Sequence, residues 1–301
     1  MNLSRKFLLL AAASSSVSAL WAEDAANSVA EKNWVATLDY QSRGSAAVSH
    51  TDGVTGTYGR SRSGAEVIWQ NATQAYDLEY YQYKNSFGGN LVGTDRAYGD
   101  TSDLMLTGFK QTDWNQHYAV QVIYALESAR ETGESFSQGF RWGLGGAARW
   151  RPDAQTDIAL GIILEDRFQT SLLPIPYVKA IWRPCRYAEV ELRATGLQNG
   201  LIVRSFVTEN HATTIDFTLA YETLSFALTP GTYGGRAVSL GEVPVRLGVT
   251  QFLEKSGTWF VRGMVEWVPF ARQSFVHDGS TFNALQVDAA CGFEFRVGAR
   301  F

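Results

Sequence analysis

The sequence has few of the residues and runs that would mark a metal site or a membrane helix. Beyond residues 7–13, near the N-terminus, it contains no apolar run approaching the about 20 residues that a transmembrane helix needs. It has two cysteines and four histidines in 301 residues, and no two of them stand three or four positions apart. The usual spacing of a His/Cys metal site is absent. We therefore predict neither a metal nor another cofactor.

The chain also lacks an excess of positive charge. It has 26 basic and 30 acidic residues, a net charge of −4, and removal of a leader containing Arg5 and Lys6 makes it −6. A mildly acidic protein is not expected to bind nucleic acid. The glycine-rich run at 143–146 does not follow a strand and open a helix, so it indicates close-packed strand glycine rather than a phosphate-binding loop.

The first 22 residues have the parts of a secretory signal peptide: a basic start, a short apolar centre and small residues towards the end. Cleavage after Ala19 and cleavage after Ala22 both fit. We expect residues 1–22 to be the signal peptide, 23–32 a flexible stretch and 33–301 one domain. An exported chain without a membrane helix is either a soluble periplasmic protein or a barrel, because only helices and closed barrels satisfy their backbone groups in lipid.

What the sequence does have is alternation with the period of a strand. The clearest case is the C-terminus, where Glu294, Arg296 and Arg300 alternate with an apolar face: Phe293, Phe295, Val297, Ala299 and Phe301. The pattern recurs along the chain, often with aromatic residues at both ends of a segment, as in 118–126, 140–150 and 259–267. Such bracketing is typical of transmembrane strands, whereas a soluble β-sandwich would turn its aromatic residues inward.

Connection lengths alternate as well, and short turns opposite long loops are typical of outer-membrane barrels. The sequence predicts an all-β fold, a transmembrane antiparallel up-and-down β-barrel of about 14 strands, or 12 if one weak hairpin is lost. Asn199-Gly200 predicts a tight hairpin, and Pro244 predicts the outer rim of its strand. The predicted long loops are 44–64, 85–102, 127–138, 166–176, 229–241 and 268–283.

The inward charges are the candidate functional residues. They either line a wet channel, where they set the ion preference, or pair into a network that fills the interior. A barrel of 12 to 14 strands is wider than the eight-strand case that side chains just fill, which favours water inside. The predicted lumen-lining residues are Arg246, Arg262, Glu266, Glu294, Arg296, Glu189, Glu191, Arg193 and Arg204.

The terminal strand resembles the closing strand of bacterial outer-membrane barrels, whose assembly machinery recognises a terminal Phe preceded by alternating apolar residues. The resemblance implies an assembly signal of Phe293, Phe295, Val297 and Phe301, with outer-membrane lipid and the assembly machinery as partners of a monomer. The segments 173–177, 181–184 and 190–203 resemble a class of bacterial outer-membrane barrels of unknown function. That second resemblance implies a barrel and supplies no activity.

Three functions compete. The charged inner face and the absence of a catalytic set favour a passive channel for ions or small hydrophilic solutes; a structural or binding barrel with a sealed lumen is the alternative. An outer-membrane hydrolase is disfavoured, because no His-Ser pair occurs and His277-Asp278 stands outside a matching pattern. We predict no enzyme activity. Cys185 in a turn and Cys291 on the lipid face would lie too far apart to form a disulfide.

Overall fold

The computed structural model is a closed ring of antiparallel strands. It describes residues 33–50, 53–94, 97–168, 172–195, 199–208, 211–229, 237–254, 257–277 and 280–301, and for 277 and 280–283 it describes the backbone alone. The predicted signal peptide and the 23–32 stretch lie outside these ranges. Within the described part of the chain, no helix has the length and apolar character needed to span a bilayer.

Seventeen strand segments make 14 barrel strands, because three pairs of segments each form one interrupted strand. The strands are β1 Trp34–Ser49, β2 Thr55–Gln70, β3 Gln74–Gly89, β4 Thr101–Asp113, β5 Tyr118–Glu131, β6 Phe140–Trp150, β7 Thr156–Glu165, β8 Leu173–Cys185, β9 Ala188–Ala194, β10 Asn199–Phe206, β11 Thr213–Ala227, β12 Ala237–Glu242 with Val245–Phe252, β13 Trp259–Val268 with Ala271–His277, and β14 Ser280–Val287 with Ala290–Arg300. The prediction of an all-β up-and-down barrel of 14 strands is confirmed.

The ring closes where the two ends of the described chain meet. β1 and the C-terminal segment of β14 form nine antiparallel pairs, from Val35–Arg300 to Arg43–Gly292. Trp34 and Phe301 add one more pair to this ladder: the amide of Trp34 donates to the carbonyl of Phe301 at 2.9 Å, and the amide of Phe301 donates to the carbonyl of Trp34 at 3.0 Å. β1 begins and β14 ends at the side of the barrel that carries the short connections. We call this side the turn end and the opposite side the loop end.

The outer face of the barrel is apolar, as the alternation predicts. Leu160 and Val265 are 54% and 60% exposed, and most outward residues between the two ends are aliphatic or aromatic. Aromatic residues stand eight to ten positions apart on single strands, as in Trp259 and Trp267 or Phe140 and Trp150. This is the band and double aromatic girdle that a bilayer requires of a barrel. The inner face, in contrast, holds buried charged residues.

Several predicted loops are in fact strand. β1 and β2 continue to Ser49 and from Thr55, so the connection predicted at 44–64 is only 50–54. Asn199 and Gly200 pair with Ala194 and Arg193, so they begin β10 and do not form the turn. The failure has one cause: small polar residues and glycine are common in these strands near the loop end, and their composition is that of a loop.

Three strands are interrupted at the same height. The breaks fall at Val243-Pro244 in β12, Pro269-Phe270 in β13 and Asp288-Ala289 in β14. Pro244 therefore lies within its strand and not at the outer rim. Because proline has no N–H and a fixed φ, it interrupts a ladder and bends the strand. β1 carries a register shift between Arg43 and Ala46 close to this level.

Above the breaks, the strands fold across the lumen. We call the segments 222–227, 237–242, 271–277 and 280–287 the lid. Ala227 forms a parallel pair with Arg130 on β5, and the amide of Thr229 donates to Glu131 at 2.8 Å. The ring of Phe226 meets that of Tyr83 on the inner face of β3 at 5.3 Å. Strands β3 and β5 lie far from β11 around the ring, so these contacts cross the barrel.

The lid carries an apolar core that fills the loop end of the lumen. Val238, Leu240 and Phe275 are at most 1% exposed. The core unites lid residues with the inner wall: Ala46, Val48, Tyr58, Tyr81, Tyr83, Leu91, Tyr98, Ala129, Leu224, Phe226, Leu228, Val238, Leu240, Val268, Ala271, Phe275, Leu285, Val287 and Ala290. At this end the barrel has an interior that resembles that of a soluble protein.

The apolar band generates a test of membrane insertion. Leu160→Arg should lower the free energy of unfolding in lipid vesicles by about 2–4 kcal/mol, because the cation would lie near the centre of the hydrocarbon. Val92→Arg, in a connection at the loop end where the side chain is 64% exposed, is the control and should cost no more than about 1 kcal/mol. Equal effects of the two variants, measured by denaturant titration, would contradict a membrane-facing band.

Candidate functional site

The lumen is the candidate site, because it is where the charged side chains converge. Its upper level lies just beneath the lid. Glu242, the last residue of the lid segment of β12, is 0% exposed. It accepts hydrogen bonds from Arg43 of β1 (Nη1–Oε2 2.6 Å) and from Arg60 of β2 (Nη2–Oε1 2.9 Å). Arg43 also donates to Glu266 of β13 (Nη2–Oε1 2.7 Å). One carboxylate thus ties the lid to two strands of the wall.

A second level of charge lies nearer the turn end. Arg62 of β2 donates to Glu294 of β14 (Nη2–Oε2 3.0 Å) and lies 3.3 Å from Asp39 of β1. Arg296 of β14 donates to Glu66 of β2 (Nη1–Oε2 3.1 Å) and to Glu294 (Nη2–Oε1 3.3 Å). All five side chains are less than a tenth exposed. Each ion has at least one oppositely charged neighbour within 4 Å, which makes such burial tolerable.

Two glycines allow ion pairs to reach across an intervening strand. Gly292 of β14 stands between Arg43 and Glu266, and a Cβ there would lie 2.7 Å from the carbonyl oxygen of Ser42. Gly248 of β12 pairs with Asp216 on one side and with Met264 on the other, and Asp216 reaches past it to Arg262, two positions from Met264 (Oδ2–Nη2 2.6 Å). A Cβ at Gly248 would lie 3.0 Å from the Asp216 carboxylate. The missing side chains make the room for both pairs.

The structure places five of the predicted lumen residues, Arg246, Arg262, Glu266, Glu294 and Arg296, on the wall formed by β12, β13 and β14. Arg246 donates to Glu266 (Nε–Oε2 2.8 Å) and to Glu222 on β11 (Nη2–Oε2 2.7 Å). The other three pair with partners on more distant strands, as described above. All five are therefore part of the ion-pair network, and their effect on transport stays a prediction.

The remaining four, Glu189, Glu191, Arg193 and Arg204, form a separate cluster on β9 and β10. Arg204 contacts both glutamates, with Nη1 3.0 Å from Oε2 of Glu191. Arg193 pairs with Glu191, and Arg183 of β8 donates to Glu189 (Nε–Oε2 2.9 Å). Each of the four predicted residues is at most 5% exposed. The cluster is local, because its members are neighbours in the ladder.

Sequence reasoning missed the residues that connect the lid to the wall. Arg60 and Arg62 lie in the segment predicted as a loop, and Glu242 follows directly on the predicted loop 229–241. Arg43 lies one position before the first predicted loop. One signal was present: Arg60 and Arg62 are two positions apart, as expected of one face of a strand. Their partners lie far away in sequence, so spacing could not have identified the pairs.

A cavity of about 140 Å³ occupies the turn end of the lumen. Arg149, Asp157, Lys179 and Arg193 line it together with Asp77 from the opposite wall. Arg149 and Asp157 form an ion pair. A smaller cavity of about 20 Å³ lies beneath the lid and is lined by Glu79 among others. Charges of both signs therefore face the space that remains in the barrel.

The residues of the predicted assembly signal lie on the outside. Phe293, Phe295 and Phe301 are 51%, 51% and 62% exposed, and Val297 is partly exposed. Their recognition by an assembly machinery stays a prediction. Both cysteines are exposed, free thiols.

Comparison with known proteins gives structural likenesses alone. Neither a protein family nor a curated protein matches the sequence. An outer-membrane channel from Pseudomonas putida F1 is 9% identical with a TM-score of 0.48, covering 89% of this chain and 95% of the channel. A FadL homologue from Pseudomonas aeruginosa is 12% identical with a TM-score of 0.43, covering 89% and 90%. The KdgM porin is 11% identical with a TM-score of 0.36, covering 88% and 99%.

The buried carboxylate beneath the lid can be tested directly. Glu242→Gln should lower the free energy of unfolding by about 3 kcal/mol, because it leaves two buried guanidinium groups with a weakened partner. Asp113→Asn removes the partner of Arg151 at the turn end, where the pair is 3.1 Å apart and the two side chains are 32% and 47% exposed. That control should cost about 0–1 kcal/mol. Equilibrium unfolding in detergent micelles compares the two; a neutral Glu242→Gln would show that the network adds little.

Proposed function

We propose that this protein is a bacterial outer-membrane channel for ions or small hydrophilic solutes, occluded in this conformation by its own lid. The observation that carries the proposal is the cavity at the turn end, which is lined by charges of both signs and lies inside a ring with an apolar outer surface. Water-accessible charge at the centre of a membrane barrel is the arrangement that lowers the barrier for an ion to enter.

The lid accounts for the occlusion, and its construction supports movement. The lid meets the wall through side-chain packing, one parallel pair at Ala227 and the hydrogen bonds that Thr229 donates to Glu131. Arg43 and Arg60 of the wall also donate to Glu242, and Arg141 donates to the carbonyl of Ser225. The prolines at 244 and 269 interrupt two of the strands where the lid begins. Lifting the lid would break these contacts and leave the barrel ladder below the strand breaks intact.

A barrel with a sealed lumen, serving for structure or binding, is the second candidate. The apolar core at the loop end favours it, because a side chain such as Phe275, which is 0% exposed, leaves no path for water beside it. The two candidates share the fold and differ in whether the lid opens.

Catalysis forms no part of the proposal. His117 contacts the carbonyl of Arg151 through Nδ1 at 2.9 Å, and the ring of His211 stacks on Phe206 at 4.4 Å. These two rings have structural contacts and lie near the turn end. The predicted His277-Asp278 pair lies outside the side chains that the structure describes.

A disulfide across the lid tests the channel. Arg130→Cys and Ala227→Cys would place thiols at a paired position, within the Cα separation that a disulfide accepts. Cys185→Ser and Cys291→Ser remove the native thiols. In planar bilayers we expect conductance steps from the reduced protein and their loss on oxidation, because the bond holds the lid against β5. The variant with Ala227→Cys alone is the oxidation control.

Three results separate the candidates. If the oxidised protein conducts as well as the reduced protein, the ions do not pass through an opening made by the lid, and the proposed role of the lid is wrong. Silence of both wild-type and reduced proteins, with conductance appearing only in Phe226→Ala, would favour the sealed barrel. Silence of all three would contradict a channel.

A further inference from the structure

Three buried carboxylates from two adjacent strands converge in the lumen. Glu66 of β2 stands directly opposite Glu79 of β3, and Asp77 lies two positions from Glu79 on the same face. One oxygen of each lies within 4.8 Å of one oxygen of each of the others. Their side chains are 1%, 1% and 3% exposed. Like charges directly opposite each other in a ladder are destabilising, so the arrangement needs a compensating group.

The protein supplies compensation for only part of this charge. Glu66 accepts from Thr37 (Oγ1–Oε2 3.1 Å) and from Arg296 (Nη1–Oε2 3.1 Å). Within the described residues, by contrast, no arginine, hydroxyl or amide donates a hydrogen bond to any of the four carboxylate oxygens of Asp77 and Glu79. Arg296 is also shared with Glu294. An unpartnered buried carboxylate is among the most costly groups in a protein, and here two of them point at the same place.

The cluster borders two cavities of the lumen. Asp77 lines the cavity of about 140 Å³ at the turn end, and Glu79 lines the cavity of about 20 Å³ beneath the lid. Asp77 and Glu79 thus each border one of these two cavities.

We propose that Glu66, Asp77 and Glu79 bind one hard divalent cation, calcium or magnesium. Both take oxygen ligands, and carboxylates are their usual protein partners. Two oxygens bound to one calcium at about 2.4 Å are at most about 4.8 Å apart, and the three oxygens lie within that distance of one another. Water from the cavity completes the coordination. The ion cross-links β2 to β3 and offsets the charge of the cluster. The site does not depend on conduction, so it stands apart from the proposed function.

The experiment is calorimetric titration of the full chain in detergent micelles, after treatment with EDTA, using Ca²⁺ alone and Mg²⁺ alone as probes. We expect one ion per chain for at least one probe, and a rise in the midpoint of thermal unfolding with that ion. Glu79→Gln and Asp77→Asn should each weaken binding by at least about 10-fold, because affinity follows the number of charged ligands. Glu165→Gln is the matched control: it removes a buried inward carboxylate that pairs with Arg167, and it should bind as wild type does.

The two ligand variants carry an internal check on folding. They are nearly isosteric and remove a repulsion, so in EDTA they should unfold at or above the wild-type temperature, whereas with the ion the order reverses. Either variant suffices if the other fails to assemble. The proposal is overturned if wild type binds neither probe, or if the variant with both Asp77→Asn and Glu79→Gln binds as well as wild type does. A channel that fails to conduct would leave this result unaffected.

Discussion

The pairing of β1 with β14 is the constraint on which the rest of the structure depends. A sheet of alternating faces leaves two edges with unpaired backbone groups, and lipid offers these groups no partner. Nine pairs from Val35–Arg300 to Arg43–Gly292 remove both edges at once. Closure then fixes which face is which: Phe293 and Phe295 must meet hydrocarbon, and Glu294 and Arg296 must find partners inside. The lumen chemistry follows from that sorting.

Inside the ring, some ion pairs join residues on adjacent strands, and others join residues separated by an intervening strand. Arg246 and Glu266 are neighbours in the ladder, but Arg43 meets Glu266 across a whole strand, through the space that Gly292 leaves. The network joins β1, β2, β12, β13 and β14 into one wall, and Glu242 attaches the lid to it. On the neighbouring β3, within the described residues, no arginine, hydroxyl or amide donates a hydrogen bond to Asp77 or Glu79. Glu242, Glu266 and Glu294, in contrast, each accept hydrogen bonds from arginines.

Period-two alternation was enough to predict the strand count and the faces of the strands, whereas the role of the nine lumen residues stays a prediction. It could not predict the lid. Pro244 indicated the end of a strand, whereas the chain bends there and continues, because the lost hydrogen bond falls at a break shared by three strands. The glycine-rich and polar run at 44–64 gave the composition of a loop, yet Arg60 and Arg62 lie on a strand that packs beneath the lid. The opposition of Glu66 and Glu79 depends on register, which is set by the turn between β2 and β3 and is not encoded in either strand alone.

The seam between β1 and β14 is uneven along its length. Beside the termini it has nine pairs, but above the break at Asp288-Ala289 only Val48–Val287 and Ser49–Gln286 remain. The seam should therefore open first at the loop end, where it has fewer backbone pairs. Thermal fluctuations should therefore part the wall beside the loops long before they reach Trp34 and Phe301, and amide protons there should be the earliest of this seam to exchange with deuterium.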